Sequence, residues 1–210
     1  MFRDRREAGQ RLADALAGFR GEPCVVLAIA RGGVVVGAQV AKALGAPLDV
    51  VIPRKVGAPG NPELGLGAVA PGVRVLDERL VRDLRVSEEY LEREIAAQER
   101  EIERRSEVYR AGRPPLDVKG RAAIVVDDGV ATGGTAVAAA RWARRAGASR
   151  VVLAVPVAPP QSLAGLSEEC DELVTLATPE PFYAVGQWYD RFDQVSDDEV
   201  VATLSSAGAE

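Results

Sequence analysis

The chain has 210 residues, 47% hydrophobic and 27% charged, with a net charge of −5; this suits one domain with a proper core and argues against a broad nucleic-acid footprint. It contains no histidine, which excludes Ser–His and Cys–His nucleophile pairs, histidine-ligated zinc and imidazole acid–base catalysis. Chemistry must therefore rest on carboxylates, lysine and arginine, hydroxyls, backbone amides or a hard metal ion.

The start, MFRDRREAGQ, is charged and lacks the apolar segment of a signal peptide. The longest apolar runs, Cys24–Ala30 and Val151–Ala158, are too short to span a bilayer. A cytoplasmic protein with no membrane or nucleic-acid partner is expected. Cys24 and Cys170 sit beside apolar residues and read as core fillers.

Residues from about Asp4 to Phe19 predict an amphipathic helix with Leu12, Leu16 and Phe19 on one stripe. Cys24–Ala30 is a continuous apolar run, as in a strand buried on both faces. Val34–Leu44 reads as a helix stopped by Gly45, and Leu48–Ile52 as a second buried strand. Leu64–Val69 and Val73–Leu76 read as shorter, antiparallel strands, with a glycine- and proline-rich, mobile-looking stretch over Gly57–Pro62 before them. Ser87 is a candidate cap for a long helix ending near Arg110, whose narrow stripe of Leu91, Ile95, Ile102 and Tyr109 suits a helix that protrudes, covers a site or meets another subunit. Buried strands at Ala122–Val126, Val151–Val157 and Leu173–Ala177 follow, separated by helices at Gly134–Ala146 and near Gln161–Leu166. This alternation predicts an α/β fold, a mostly parallel twisted sheet flanked by helices on both faces. The organisation expected is one domain over 1–210, with a helical insertion at about 77–118 and a hood-like C-terminal segment at about 179–195.

Ligands on such sheets bind beyond the carboxyl ends of the strands. The strongest signal lies there: IVVDDGVATGGTA, residues Ile124 to Ala136, ends a strand in two adjacent carboxylates, Asp127 and Asp128, and opens a helix through Thr-Gly-Gly-Thr. Small residues let backbone amides approach an anion, Thr132 and Thr135 offer hydroxyls, and the helix start adds partial positive charge. The carboxylates suit a diol or a metal-bound water. A phosphate cradle beside such a grip describes a ribose 5-phosphate site. Ala30-Arg-Gly-Gly-Val34 is a second strand-to-helix loop; Gly32 and Gly33 permit close approach, and Arg31 supplies a fork for phosphate oxygens. Gly32, Gly33 and Gly37 have the wrong spacing for a dinucleotide fingerprint. Arg54 and Lys55 place two cations after another strand. The segment 179–192 gathers Phe182, Tyr183, Trp188, Tyr189 and Phe192; it suits either an aromatic lid over a planar acceptor or an anchor for the C-terminus.

The segment IVVDDGVATGGTA resembles the signature of type I phosphoribosyltransferases, which bind phosphoribosyl pyrophosphate (PRPP). The resemblance implies a Mg²⁺-dependent transfer of the phosphoribosyl group to a nitrogen acceptor. Asp127 and Asp128 would contact the ribose hydroxyls and, indirectly, the metal. Ala131, Thr132, Gly133, Gly134 and Thr135 would enclose the 5-phosphate. Arg31, Gly32 and Gly33 would form the pyrophosphate loop, with Arg54 and Lys55 beside it; the catalytic set would be Arg31, Lys55, Asp127 and Asp128. Trp188 and Tyr189 would meet the acceptor, Glu63 is a speculative acid–base group, and a lid is expected somewhere between Gly57 and Pro115. The long inserted helix departs from compact members of the family. Gly129 stands where the family usually has an aliphatic residue, which would loosen the loop. Ala131 stands where members acting on 6-oxopurines usually carry aspartate, so a different nucleobase is expected. A homodimer is the family habit. The alternative is a PRPP-sensing regulatory protein of the same fold that catalyses no transfer.

Overall fold

The computed structural model describes residues 1–207; the last three residues of the expected domain lie outside the described residues. In chain order the elements are α1 (Arg5–Ala15), β1 (Cys24–Ile29), α2 (Gly32–Leu44), β2 (Leu48–Val51), β3 (Arg54–Ala58), β4 (Asn61–Ala70), β5 (Val73–Leu76), α3 (Glu78–Asp83), α4 (Glu88–Arg110), β6 (Ala122–Val126), α5 (Gly134–Arg145), β7 (Arg150–Val157), α6 (Pro160–Glu168), β8 (Glu172–Ala177) and α7 (Asp197–Ala207). Single 3₁₀ turns occupy Ala17–Phe19 and Val185–Trp188.

Side chains alternate across a strand, and here both sides are buried. Cys24, Val26 and Ala28 of β1 join one core with Leu12 of α1, Val36 of α2 and Val200 of α7. Val25, Leu27 and Ile29 join a second core with Ala139 and Ala143 of α5 and Leu166 of α6. Strands covered on both faces need unbroken apolar runs, which is why these segments show no polar alternation. The sheet runs β2-β1-β6-β7-β8, every neighbouring pair parallel. The chain thus works outward from β1 to β2, then returns to the other side of β1 to place β6. That reversal is a topological switch point, and the loops after β1 and β6 flank it.

The two short strands expected before the long helix belong to a separate antiparallel sheet, β3-β4-β5, whose first strand was not expected. Gly57–Pro62 forms the end of its hairpin: Gly60 turns at φ +73°, and a Cβ on Gly57 would lie 2.9 Å from the Pro62 backbone. Helix α3 was also unexpected. Asp77 caps it by accepting the Leu80 amide, but it buries none of its residues and so leaves no apolar period to read. Helix α4 starts as expected, with the Ser87 hydroxyl accepting the Tyr90 amide at 3.2 Å. It buries Ile95, Ile102 and Tyr109 and packs on β3, β4 and α7. Its end is tied to the sheet by a buried ion pair, Arg110 Nε donating to Asp49 Oδ1 at 3.0 Å. Cys24 is buried and Cys170 half-buried, both as free thiols. No helix among the described residues is long and apolar enough to cross a membrane.

Candidate active site

The loops after β1 and β6 touch. A Cβ on Gly32 would fall 1.9 Å from Asp128 Oδ2, and one on Gly33 would fall 2.7 Å from the Val126 carbonyl and 2.9 Å from Asp127 Cα. Only glycine lets the two loops meet this closely. Arg31 precedes α2 after a cis peptide bond to Ala30 and is half-exposed. Across the switch point Gly133, at φ +89°, turns the chain into α5, whose first turn no side chain among the described residues caps. The leading amides of a helix lack intrahelical acceptors, so this start is a ready anion site. Ala131 and Thr132 are exposed at its mouth and Gly134 and Thr135 half-buried, while Ser162 donates to the Ala131 carbonyl at 2.8 Å and steadies the turn.

Burial, and then the charge of Asp128 beside it, pushes the Asp127 carboxyl well above its ordinary range. Burial raises Asp128 as well, but Arg5 opposes the shift. Arg5 Nε donates to Asp128 Oδ2 at 2.7 Å, its Nη1 donates to the Asp193 carbonyl at 2.7 Å, and its guanidinium lies 3.8 Å from the centre of the Phe192 ring. The cation is therefore held between the loop after β6 and the C-terminal segment. Tyr189 closes the same corner: its hydroxyl donates to the Asp128 carbonyl, and its ring meets Phe2 at 5.4 Å and Phe192 at 5.0 Å.

A family model described as phosphoribosyl transferase domain matches residues 5–183. The chain belongs to this family. Two curated relatives from Mycobacterium tuberculosis strains, CDC 1551 / Oshkosh and H37Rv, are each named putative phosphoribosyl transferase and are 49% identical over 99% of the chain. The chain spans about half the length of these relatives, 47%. The crystal structure of TT1426 from Thermus thermophilus is 48% identical, with a TM-score of 0.82 over 98% of both chains.

Within this phosphoribosyl transferase domain the predicted residues fall into three groups. Arg31, Gly32, Gly33, Asp127, Asp128 and the turn from Ala131 to Thr135 lie on the two loops that flank the switch point. The hairpin carries Lys55 toward the cradle, since Lys55 is the cross-strand neighbour of Ala68, and Ala68 packs 3.9 Å from where a Gly134 Cβ would lie. Lys55 is exposed there, whereas Arg54 faces α4 and donates to Gln98 at 2.9 Å. Glu63 is exposed near the hairpin end. In the C-terminal segment, Trp188 stacks on Phe182 at 6.1 Å, its buried Nε1 without a hydrogen-bond partner among the described residues, and Tyr189 is buried as an anchor between the chain ends. A cavity of about 580 Å³ between α4, the edge of β2 and Trp142 contains none of the predicted site residues; a second, of about 360 Å³, contains Arg31.

Gly129 has a packing reason. It is buried, and a Cβ there would lie 2.5 Å from Val185 Cγ1 and 2.9 Å from Val157 Cγ1. The glycine admits Val185 of the C-terminal segment rather than slackening the loop. Gly129→Val is therefore expected to destabilise the fold by at least about 1 kcal/mol through overpacking, read as a melting point lowered by roughly 2–4 °C or more. Arg5 is the functional-looking residue that sequence reasoning missed; it meets Asp128 across 123 positions, with no local pattern to mark it.

Proposed function

We propose that this chain is a Mg²⁺-dependent phosphoribosyltransferase, carrying the 5-phosphoribosyl group from PRPP to a nitrogen of a nucleobase other than a 6-oxopurine and releasing pyrophosphate. The observation that carries this reading is the contact of Gly32 with Asp128, which joins a diphosphate loop to a diol grip at the switch point. The amides from Thr132 to Thr135 and the start of α5 would hold the 5-phosphate, and the Asp127–Asp128 pair the ribose hydroxyls. The base lone pair forms a bond to the anomeric carbon while the bond to the diphosphate oxygen breaks and the leaving group keeps its electrons. Positive charge grows on the ring in a transition state like that of glycoside cleavage, and negative charge grows on the departing diphosphate, where Arg31 and Lys55 would stabilise it.

With Asp128 Oδ2 already bonded to Arg5, the Asp127–Asp128 pair would hold Mg²⁺ indirectly, through metal-bound water and the ribose hydroxyls, as suits an ion that keeps several waters and takes substrate phosphate oxygens. When bound, it neutralises leaving-group charge. Acceptor placement rests on the hood, where Trp188 and Phe182 form a stacked aromatic surface and Val185 packs beside Gly129. The reading includes one domain with the insertion at about 77–118 and hood at about 179–195, and a cytoplasmic homodimer, supported by the family resemblance and the exposed side of α4.

Pyrophosphate release from Mg²⁺–PRPP across a panel of bases tests the reaction. Release with adenine, uracil or a related base, and none with hypoxanthine or guanine, is expected. Saturable PRPP binding without release on any base would assign a PRPP-sensing protein instead, and absence of PRPP binding would sink both.

A further inference from the structure

Helix α7 begins with three carboxylates in its first turn, Asp197, Asp198 and Glu199. Its cap is complete without Asp197. The Ser196 hydroxyl accepts the Glu199 amide at 3.2 Å, and Glu199 Oε2 accepts the Ser196 amide at 2.8 Å, the reciprocal arrangement that fixes a helix start. Asp197 turns elsewhere. Its Oδ1 accepts the Tyr109 hydroxyl of α4 at 2.6 Å and Arg31 Nη1 at 3.4 Å. The Tyr109 hydrogen bond, with the nearby Arg105 and Arg31 charges, holds its carboxyl below the usual range. One oxygen thus gathers a phenol and the pyrophosphate-loop guanidinium, beside the cavity lined by Arg31 and residues 194–198; Arg105 lies one helical turn before Tyr109 on the same side of α4.

Donors that converge on a carboxylate serve a phosphate oxygen equally well. Arg31 is also the cation that the proposed reaction sets against the leaving diphosphate, so Asp197 stands where an anionic ligand is wanted. Tyr109 is otherwise fully buried, and its hydroxyl makes this one side-chain hydrogen bond among the described residues. Arg105, three-quarters or more buried, is held in place by Glu101 at 2.6 Å. Both come from the inserted helix, to which the donor reading gives no task.

We propose that Asp197 is a resident anion in the leaving-group end of the donor site, that the donor's diphosphate displaces it, and that Tyr109 and Arg105 then become diphosphate ligands beside Arg31. The proposal rests on the donor reading above. Displacement asks only for a side-chain rotation: the Asp197 side chain is 36% exposed, while α7 stays anchored through buried Val200 and Leu204. A carboxylate in this place also sets a threshold. A multiply charged diphosphate with its metal outcompetes it, whereas a weak monoanion does not.

The test is calorimetric titration of the whole chain with magnesium pyrophosphate. Asp197→Asn, which keeps an acceptor for the Tyr109 hydroxyl, is expected to tighten binding about threefold or more, the scale of one part-exposed ion pair. Adding Tyr109→Phe to Asp197→Asn is expected to loosen it again. Asp197→Ser removes the carboxylate with a residue that suits a helix start, and should give the same gain if asparagine disturbs α7. Unchanged or weaker binding in both single variants would overturn the proposal. Ribose 5-phosphate, titrated into the same proteins, reads the opposite end of the site and is expected to bind all of them alike. If ribose 5-phosphate binds and pyrophosphate shows no gain, the resident anion falls and the donor reading stands. If neither ligand binds any of the proteins, both fall.

Discussion

Gly32→Ala is expected to leave the fold in place and to weaken Mg²⁺–PRPP binding by more than about tenfold, whereas Gly33→Ala is expected to destabilise the fold itself. The two glycines are adjacent, yet what an added methyl group meets is different. At Gly32 the Cβ would arrive 1.9 Å from Asp128 Oδ2 and 2.7 Å from Asp128 Cγ. A carboxylate on a side chain can swing aside, so the fold survives. The swing breaks the 2.7 Å bond from Arg5 and moves the oxygen that the donor reading assigns to the ribose hydroxyls. The penalty therefore falls on binding. At Gly33 the nearest atoms are the Val126 carbonyl at 2.7 Å and Asp127 Cα at 2.9 Å, both backbone, with β6 fixed between β1 and β7. Nothing there can rotate out of the way. The strain should reach the upper end of overpacking costs, about 3 kcal/mol, and lower the melting point by roughly 2–4 °C for each of those. Thermal melting and calorimetric titration of the two variants read the contrast directly. Equal melting points, with equal loss of binding, would mean that the loops after β1 and β6 do not meet as described.

The same distinction explains what the sequence could disclose. Strands β1, β6 and β7 were legible because burial on both faces demands an unbroken apolar run, whatever lies opposite. The cradle was legible because its parts are contiguous, with two carboxylates at a strand end and small residues opening a helix. Strand β3 was not, since Gly57 and the following Ala-Pro-Gly give no alternation to read, and its pairing depends on the approach of Pro62. Nor could local pattern disclose the counter-charges: Arg5 reaches Asp128 across 123 positions, Tyr109 reaches Asp197 across 88, and Arg31 reaches Asp197 across 166. The chemistry of each loop is local; its electrostatic partners come from the chain ends. Gly129 belongs with them, because the reason for a glycine there is Val185, which arrives from the C-terminal segment.

Asp128→Asn separates the carboxylate's part in binding from its part in the fold. In the free protein two effects oppose each other. Losing one of two adjacent buried carboxylates relieves the repulsion that, after burial, is the main cause holding Asp127 well above its ordinary range. It also weakens the bond from Arg5, although the amide oxygen of asparagine can still accept from Arg5 Nε. The amide side chain has nearly the same shape, so no cavity opens and the stability change should stay within about 1 kcal/mol. Donor binding has no such compensation. The hydroxyls and metal-bound water lose a charged acceptor, and a hydrogen bond to a charged group is worth about 1.5–3 kcal/mol. Affinity for Mg²⁺–PRPP should accordingly fall by more than tenfold, about 1.5 kcal/mol or more, while the melting point shifts by only a few degrees, roughly 2–4 °C at most. Because the loss is of charge and not of shape, the deficit should shrink when the ligand is pyrophosphate alone, which does not need the ribose grip. An Asp128→Asn protein that binds PRPP as the unmodified chain does would place the sugar away from this carboxylate, and the contact between Gly32 and Asp128 would then be a matter of packing alone.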